Sequence, residues 1–235
     1  MIQNIIVRTA GERTADVCVA RLIAMLPNAK IHRLRIIPFY DAVRECYRIG
    51  SESQGEWFLT CDGDVLPDNR LLEFVDRLKL YPDVGMVVAT IDDWLFNWKR
   101  PGGVRACRPS IALKISDKVR DNRRPESLAL NRAGVIVKTD ETVVGTHDKE
   151  QWLRDVYRTV LHHLHKHRRN AGAKRALKVR SLQTDHPDFV MIAAARWDRI
   201  QYNYMNANDF PEAPLAEFGL TEKEPLCSGE ERNED

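Results

Sequence analysis

Residues 55–68 read Gly-Glu-Trp-Phe-Leu-Thr-Cys-Asp-Gly-Asp-Val-Leu-Pro-Asp. Trp57 to Cys61 is a largely apolar run of strand length, and Asp62-Gly63-Asp64 stops it. Pro67 then opens a helical pattern carried by Leu71, Leu72, Phe74, Val75 and Leu78. Strand, polar turn and helix in succession form the repeating unit of an open α/β sheet, and such sheets bind ligands beyond the carboxyl ends of their strands.

The same rhythm extends outward. Ile5-Ile6-Val7 reads as a first strand, and Thr9 followed three residues later by Glu12 has the capping-box pattern of a helix start. That helix carries Val17, Cys18, Leu22, Met25 and Leu26 and stops near Pro27-Asn28. Leu34-Ile36-Ile37 reads as a second strand, and Phe39, Val43, Cys46 and Tyr47 recur at helical spacing. Val84 to Ile91 reads as a further strand. Strand and helix thus alternate about every 12–15 residues over the first ~95, which predicts a mostly parallel sheet flanked by helices. From 92 to 145 the pattern is less regular. Pro101-Gly102-Gly103 breaks the chain, Ile111-Ala112-Leu113 reads as a strand, and Gly134–Val137 and Thr142–Val144 are β-like. Beyond 147, Leu153, Tyr157, Val160, Leu161 and Leu164 form a helical stripe, and Pro187 starts a helix expected to reach 202.

The chain has 235 residues and a formal net charge of +2, unevenly distributed. Residues 209–235 hold nine acids against two bases, −7, which leaves +9 on residues 1–208. Pro211, Pro214 and Pro225 fall in the acidic part, which reads as a weakly ordered tail over 206–235. The five cysteines form no CxxC pair, so neither a disulfide framework nor a thiolate zinc site is expected. No apolar run is long enough to span a bilayer, and the first residues lack a signal-peptide pattern. A cytoplasmic location fits these features.

Asp62-Gly63-Asp64 is the sharpest chemical feature. On an extended chain, residues two apart point the same way, so both carboxylates address one point while Gly63 admits close backbone approach. Such a pair suits Mg²⁺ or Mn²⁺, which would grip phosphate oxygens. Asp-Gly-Asp is also an ordinary turn sequence, and its place after the Trp57–Cys61 run is what favours the functional reading.

Residues 55–68 resemble the DxD signature of family 2-like glycosyltransferases with the GT-A fold. Ile6-Val7-Arg8-Thr9-Ala10-Gly11-Glu12-Arg13 is similar to that family's first strand and nucleotide-contacting loop. Glu126 to Val137, then Thr142-Val143-Val144-Gly145-Thr146-His147, is similar to two later blocks. The resemblance implies a Rossmann-like GT-A domain over 1–145, with an acceptor-side segment from about residue 95 and a C-terminal helical extension over 146–205. It implies transfer of a sugar from a UDP- or GDP-linked donor to a hydroxyl acceptor, lipid-linked or polysaccharide. Arg8, Thr9, Glu12, Arg13, Asp62 and Gly63 would meet the nucleotide, and Asp62, Asp64 and His147 would hold the metal. Glu126 is the candidate base, with Asp121 and Asp148 as rivals, and the resemblance leaves inverting or retaining stereochemistry open. Thr9 and Glu12 are equally explained as a helix cap, and Arg8 and Arg13 as surface arginines.

Two other readings use the same residues. A sugar nucleotidyltransferase would carry a glycine-rich first loop, and Thr9–Arg13 has one glycine. A nucleic-acid-binding protein would use residues 156–184, which hold Arg158, Lys166, Arg168, Arg169, Lys174, Arg175, Lys178 and Arg180 and no acid. The same stretch suits an anionic membrane surface or a plain solvated face. His162, His163, His165 and His167 scatter around a helix, which argues against a metal cluster there. Trp94 and Trp98 flank Phe96 and suit either a sugar cleft or a core.

Overall fold

A computed structural model describes residues 2–36, 38–121, 125–166, 171–197 and 212–226. Two compact units divide the chain, one built on Met1–Asp92 and Lys99–His147, the other on Asp93–Trp98 and Asp148–Pro225.

The first unit is a seven-stranded sheet in the order β2-β1-β3-β6-β5-β7-β4. Its strands are β1 (Ile2–Arg8), β2 (Lys30–Leu34), β3 (Trp57–Asp62), β4 (Val65–Pro67), β5 (Met86–Asp93), β6 (Trp98–Cys107) and β7 (Val137–His147). Helix α1 (Ala15–Met25) joins β1 to β2, α2 (Phe39–Ser51) joins β2 to β3, and α3 (Arg70–Arg77) follows β4. Helices α4 (Pro109–Ser116) and α5 (Pro125–Ala133) lie between β6 and β7. Alternation along the strands sorts the core. Ile5, Val7, Leu59 and Cys61 pack with Cys18 and Leu22 of α1 and Leu71 and Phe74 of α3. Ile6 and Phe58 pack with Val43, Cys46 and Tyr47 of α2, Ile115 of α4 and Ala129 of α5. The sheet is therefore covered on both faces, as the α/β reading requires.

Parallel pairing holds where β2, β1 and β3 adjoin. Beyond them β3 pairs antiparallel with β6, and β4 antiparallel with β7, so the sheet is mixed. Strand β6 runs across Pro101-Gly102-Gly103, which read as a break. Its pairing with β3 uses only Val104–Cys107, past the proline, so no ladder bond to β3 is lost there. Ile111-Ala112-Leu113, expected as a strand, is helical: Pro109 sits at the first turn of α4, where its fixed φ favours a helix. Residues 137–147 form one strand rather than two short ones. The second strand ends at Leu34, earlier than expected, and Ile37 lies outside the described residues.

Asp140 of β7 is buried and accepts hydrogen bonds from Arg77 Nε (2.9 Å), Tyr81 Oη (2.8 Å) and the Thr142 amide (2.9 Å). Burial pushes its pKa up, but these donors outweigh burial and hold it at about 2. A depressed carboxyl stabilises the fold above its unfolded pKa, near 3.9, and loses that contribution as pH falls through the folded value. The melting temperature of Asp140→Asn should thus lie below wild type at pH 5, by the equivalent of about 1–3 kcal/mol. Melting curves between roughly pH 5 and 2 should converge as the wild-type carboxyl protonates.

The second unit is helical. It comprises α6 (Leu153–Lys166), α7 (Ala171–Ser181) and α8 (Pro187–Trp197), around Val156, Tyr157, Val160, Leu177, Met191 and Ile192. Leu95 and Phe96 complete this core, with Trp94 stacked on Phe189 at 5.7 Å and Phe96 on Trp98 at 5.0 Å. The aromatic trio thus serves packing. Residues 212–226, expected as weakly ordered, are tied down by their charges. The Glu222 carboxylate accepts from the Leu153 and Arg154 amides (2.7 and 3.2 Å), capping α6, and Lys223 Nζ lies 2.6 Å from buried Asp188. The remaining tail positions, 206–211 and 227–235, and the expected end of α8 at 202 lie outside the described residues.

Candidate active site

The chain leaves β1 in one direction to form β2 and returns on the other side to form β3, so the carboxyl ends of β1 and β3 flank a topological switch point. Arg8 and Asp62 are register partners there. The loop after β1 folds onto the turn after β3. The Gly63 amide donates to Arg8 O (2.8 Å), and Thr14 Oγ1 donates to Gly63 O (2.8 Å). A Cβ on Gly63 would stand 2.9 Å from Glu12 Oε2 and 3.2 Å from Arg8 O. Gly63 is therefore required by the approach of the protein's own loop, where a ligand's approach was expected.

Thr9 and Glu12 do not start a helix. Thr9 Oγ1 donates to Glu12 Oε2, and the Glu12 carboxylate also accepts from the Ala10 amide (2.9 Å). Helix α1 begins later, at Ala15, and Thr14 at its N-cap donates its hydroxyl to Gly63 O and does not cap the helix with it. Thr9 and Glu12 brace the loop at the switch point, and Arg13 is half-buried beside them.

The two aspartates of the DxD stretch diverge. Residues 63 and 64 lie in a turn between β3 and β4, so strand alternation does not apply to them. Asp62, at the end of β3, faces arginines: Arg8 Nε and Nη2 donate to its Oδ1 (3.0 and 2.6 Å), and Arg105 Nη1 lies 3.4 Å from its Oδ2. The same arginines hold Glu126, through Arg8 Nη1 to Oε1 (3.0 Å) and Arg105 Nη2 to Oε2 (3.1 Å), and Tyr47 Oη donates to Oε1 (2.7 Å). Burial pushes both carboxyls up. The charges of Arg8 and Arg105 overcome it and hold Asp62 and Glu126 below the usual carboxylate range.

Three of the expected site residues belong to this network. Arg8, expected to meet the nucleotide, is 3% exposed and occupied by Asp62 and Glu126. Asp62, expected as a metal ligand, neutralises arginines. Glu126, expected as the base, is buried and held anionic by two guanidinium groups, which makes it a poor proton acceptor. Arg105 and Tyr47 complete the network: Tyr47 was legible only as part of the apolar stripe of α2, and Arg105, in β6, gave no sequence signal.

Asp64 turns to a different partner. Strand β4 pairs with β7 in the register Val65↔His147, so the residue before Val65 meets the end of β7. Asp64 Oδ2 lies 3.4 Å from His147 Nε2. The strands touch closely because Gly145 faces Pro67, where a Cβ would stand 2.3 Å from Leu66 O. Asp148 follows His147 directly. It is buried, with a left-handed φ of +59°, a conformation aspartate tolerates better than most residues. Within the first unit, Asp64 and His147 are thus a pair able to offer ligating atoms to one point. Asp64 Oδ1 is buried without a hydrogen-bond partner. A carboxylate with one oxygen unsatisfied beside an imidazole nitrogen is a donor pair that suits a divalent cation such as Mn²⁺ or Mg²⁺. Arg100 Nη2 stands 3.2 Å from His147 Nδ1, so positive charge already faces this spot from β6. Asp121 is exposed and in no part of either group.

No protein-family model and no curated protein matches the sequence. Solved structures of similar architecture include the mannosyltransferase PcManGT from Pyrobaculum calidifontis in complex with GDP-Man and Mn²⁺. It shares 14% identity over 82% of this chain and 78% of that one, with a TM-score of 0.46. A glycosyltransferase involved in glycosylation of the major capsid of PBCV-1 shares 11% identity over 62% and 93%, with a TM-score of 0.45. The 4-diphosphocytidyl-2C-methyl-D-erythritol synthase from Anaerococcus prevotii shares 10% identity over 60% and 89%, with a TM-score of 0.42. Scores this low assign no activity to the chain. No described helix is long and apolar enough to cross a membrane.

Proposed function

We propose that the first unit binds a nucleotide-diphosphate sugar and transfers the sugar to a hydroxyl acceptor with the help of a divalent cation. The observation that carries this reading is the β4–β7 register, which sets Asp64 against His147 just past the carboxyl end of β3. Asp64 and His147 would hold the cation. Asp148, the next residue along the chain, is the carboxylate assigned to take the acceptor hydroxyl's proton. When bound, the cation supplies Lewis-acid stabilisation of the departing diphosphate. The braced loop of Thr9, Ala10, Gly11 and Glu12 lies at the switch point, where a nucleotide would sit against exposed backbone. Arg8, Arg105, Asp62 and Glu126 form the charge-balanced floor beneath it, holding the ends of β1 and β3 together.

A thermal-shift screen of nucleotides and nucleotide sugars, each with and without Mn²⁺, tests this reading. A ligand that binds only the native state raises the melting temperature, by the equivalent of about 2.7 kcal/mol at a hundred times Kd. The expected result is a Mn²⁺-dependent shift with one nucleoside diphosphate and its sugar conjugate. A shift with a nucleoside triphosphate and none with any diphosphate sugar would replace the transferase with a nucleotidyltransferase. No shift with any nucleotide would end the nucleotide-sugar reading.

A further inference from the structure

We propose that the second unit docks on the surface of an anionic lipid bilayer through the outer face of α7. This goes beyond the transfer reaction and does not depend on it. Helix α7 buries Ala173 and Leu177 and turns Lys174, Arg175, Lys178 and Val179 to solvent, with Leu182 just past its end. The spacing 175, 179, 182 and the parallel 174, 178 place them on one stripe. Among the described residues, no ion pair engages Lys174, Arg175 or Lys178. The stripe is not purely polar: Val179 is 55% exposed and Leu182 71%. Trp197 at the end of α8 is 68% exposed. Arg196 brings that indole to the same end of α7, because its guanidinium donates to Ser181 Oγ (3.2 Å) and stacks on the Trp197 ring at 4.3 Å.

An ordinary solvated helix face mixes charges of both signs and exposes large apolar side chains only singly. This one does neither. Cations of a single sign beside exposed Val, Leu and Trp match what a bilayer interface rewards. The cations meet lipid phosphates, the aliphatic chains enter the headgroup boundary, and the indole sits at headgroup level. A nucleic acid would reward the cations but gain nothing from Val179 and Leu182.

The test is co-sedimentation of the full chain with phosphatidylcholine vesicles and with vesicles that also contain phosphatidylglycerol, at low and high salt. Pelleting is expected with the anionic vesicles alone, and added salt should release the protein. Each cation near the surface is worth about fivefold in affinity, so Lys174→Glu/Arg175→Glu/Lys178→Glu should bind on the order of 100-fold more weakly or worse. Leu182→Asn, which leaves the charge unchanged, should weaken binding by a smaller factor. Circular dichroism melts of both variants check that the fold persists. Equal pelleting of the triple variant, or no pelleting of wild type at low salt, overturns the proposal. Salt-sensitive binding to a single-stranded oligonucleotide with vesicles left unbound overturns it in favour of a nucleic-acid face.

Discussion

Asp64→Ala is expected to lower turnover of a nucleotide-sugar donor by on the order of a thousandfold while leaving the metal-free melting temperature unchanged or raised. The first half follows from what a Lewis acid contributes at a departing diphosphate, several kcal/mol, with each ~1.4 kcal/mol worth a factor of ten. The second half follows from burial. Asp64 Oδ1 has no hydrogen-bond partner, and a buried carboxylate oxygen left unsatisfied destabilises the fold unless a cation fills the gap. Removing it relieves that cost. A residue that weakens the empty protein yet is required for activity is what a ligand site looks like thermodynamically. Steady-state kinetics and calorimetry, each with and without Mn²⁺, check both halves. The Mn²⁺-dependent rise in melting temperature seen for wild type should vanish in the variant. A variant that is destabilised and equally active would show that Asp64 serves only to orient His147.

The legible part of the fold was the part governed by local pattern. The runs Ile5–Val7 and Trp57–Cys61 alternate sides within the core, and the helices that follow carry apolar stripes at the right spacing, so β1, β3, α2 and α3 could be read directly. The run Ile111–Leu113 misled because three apolar residues have no period. Pro109 at a first helical turn was the deciding signal. At the site, Asp64 and His147 were both visible as residue types, but what joins them is the β4–β7 register, a long-range pairing that leaves no local trace. Asp62 meets Arg8 and Arg105 instead of pointing with Asp64 for a complementary reason. The alternation rule assumes an extended chain, and the chain turns at Gly63. Tyr47 was legible as a helix-stripe residue but not as a partner of Glu126, and Arg105 not at all, since buried arginine and tyrosine in mid-element look like any others until a buried acid is placed between them.

That acid is the subject of the second large effect. Arg105→Met is expected to cost about 3–5 kcal/mol, because breaking a buried ion pair strands its partners and leaves Arg8 alone against Asp62 and Glu126. For a chain of this size that is a fall in melting temperature of roughly 10 °C. Arg105→Met combined with Glu126→Leu removes one charge of each sign and should recover much of the loss. The cycle of single and double variants should show a favourable coupling well above the ~0.5 kcal/mol expected of independent sites. Glu126→Gln separates the structural role from the catalytic one. A general base contributes about 10²- to 10⁴-fold, so its loss would lower the rate of every folded molecule by that factor. A carboxylate that only balances Arg8 and Arg105 would instead lower the fraction folded and leave the rate per folded molecule within about tenfold of wild type, short of that range. Titrating the folded fraction by circular dichroism at the assay temperature, then dividing the measured rate by it, distinguishes the two. The buried position of Glu126, its contact with Tyr47 Oη at 2.7 Å and its two guanidinium partners all place the expected result on the side of stability.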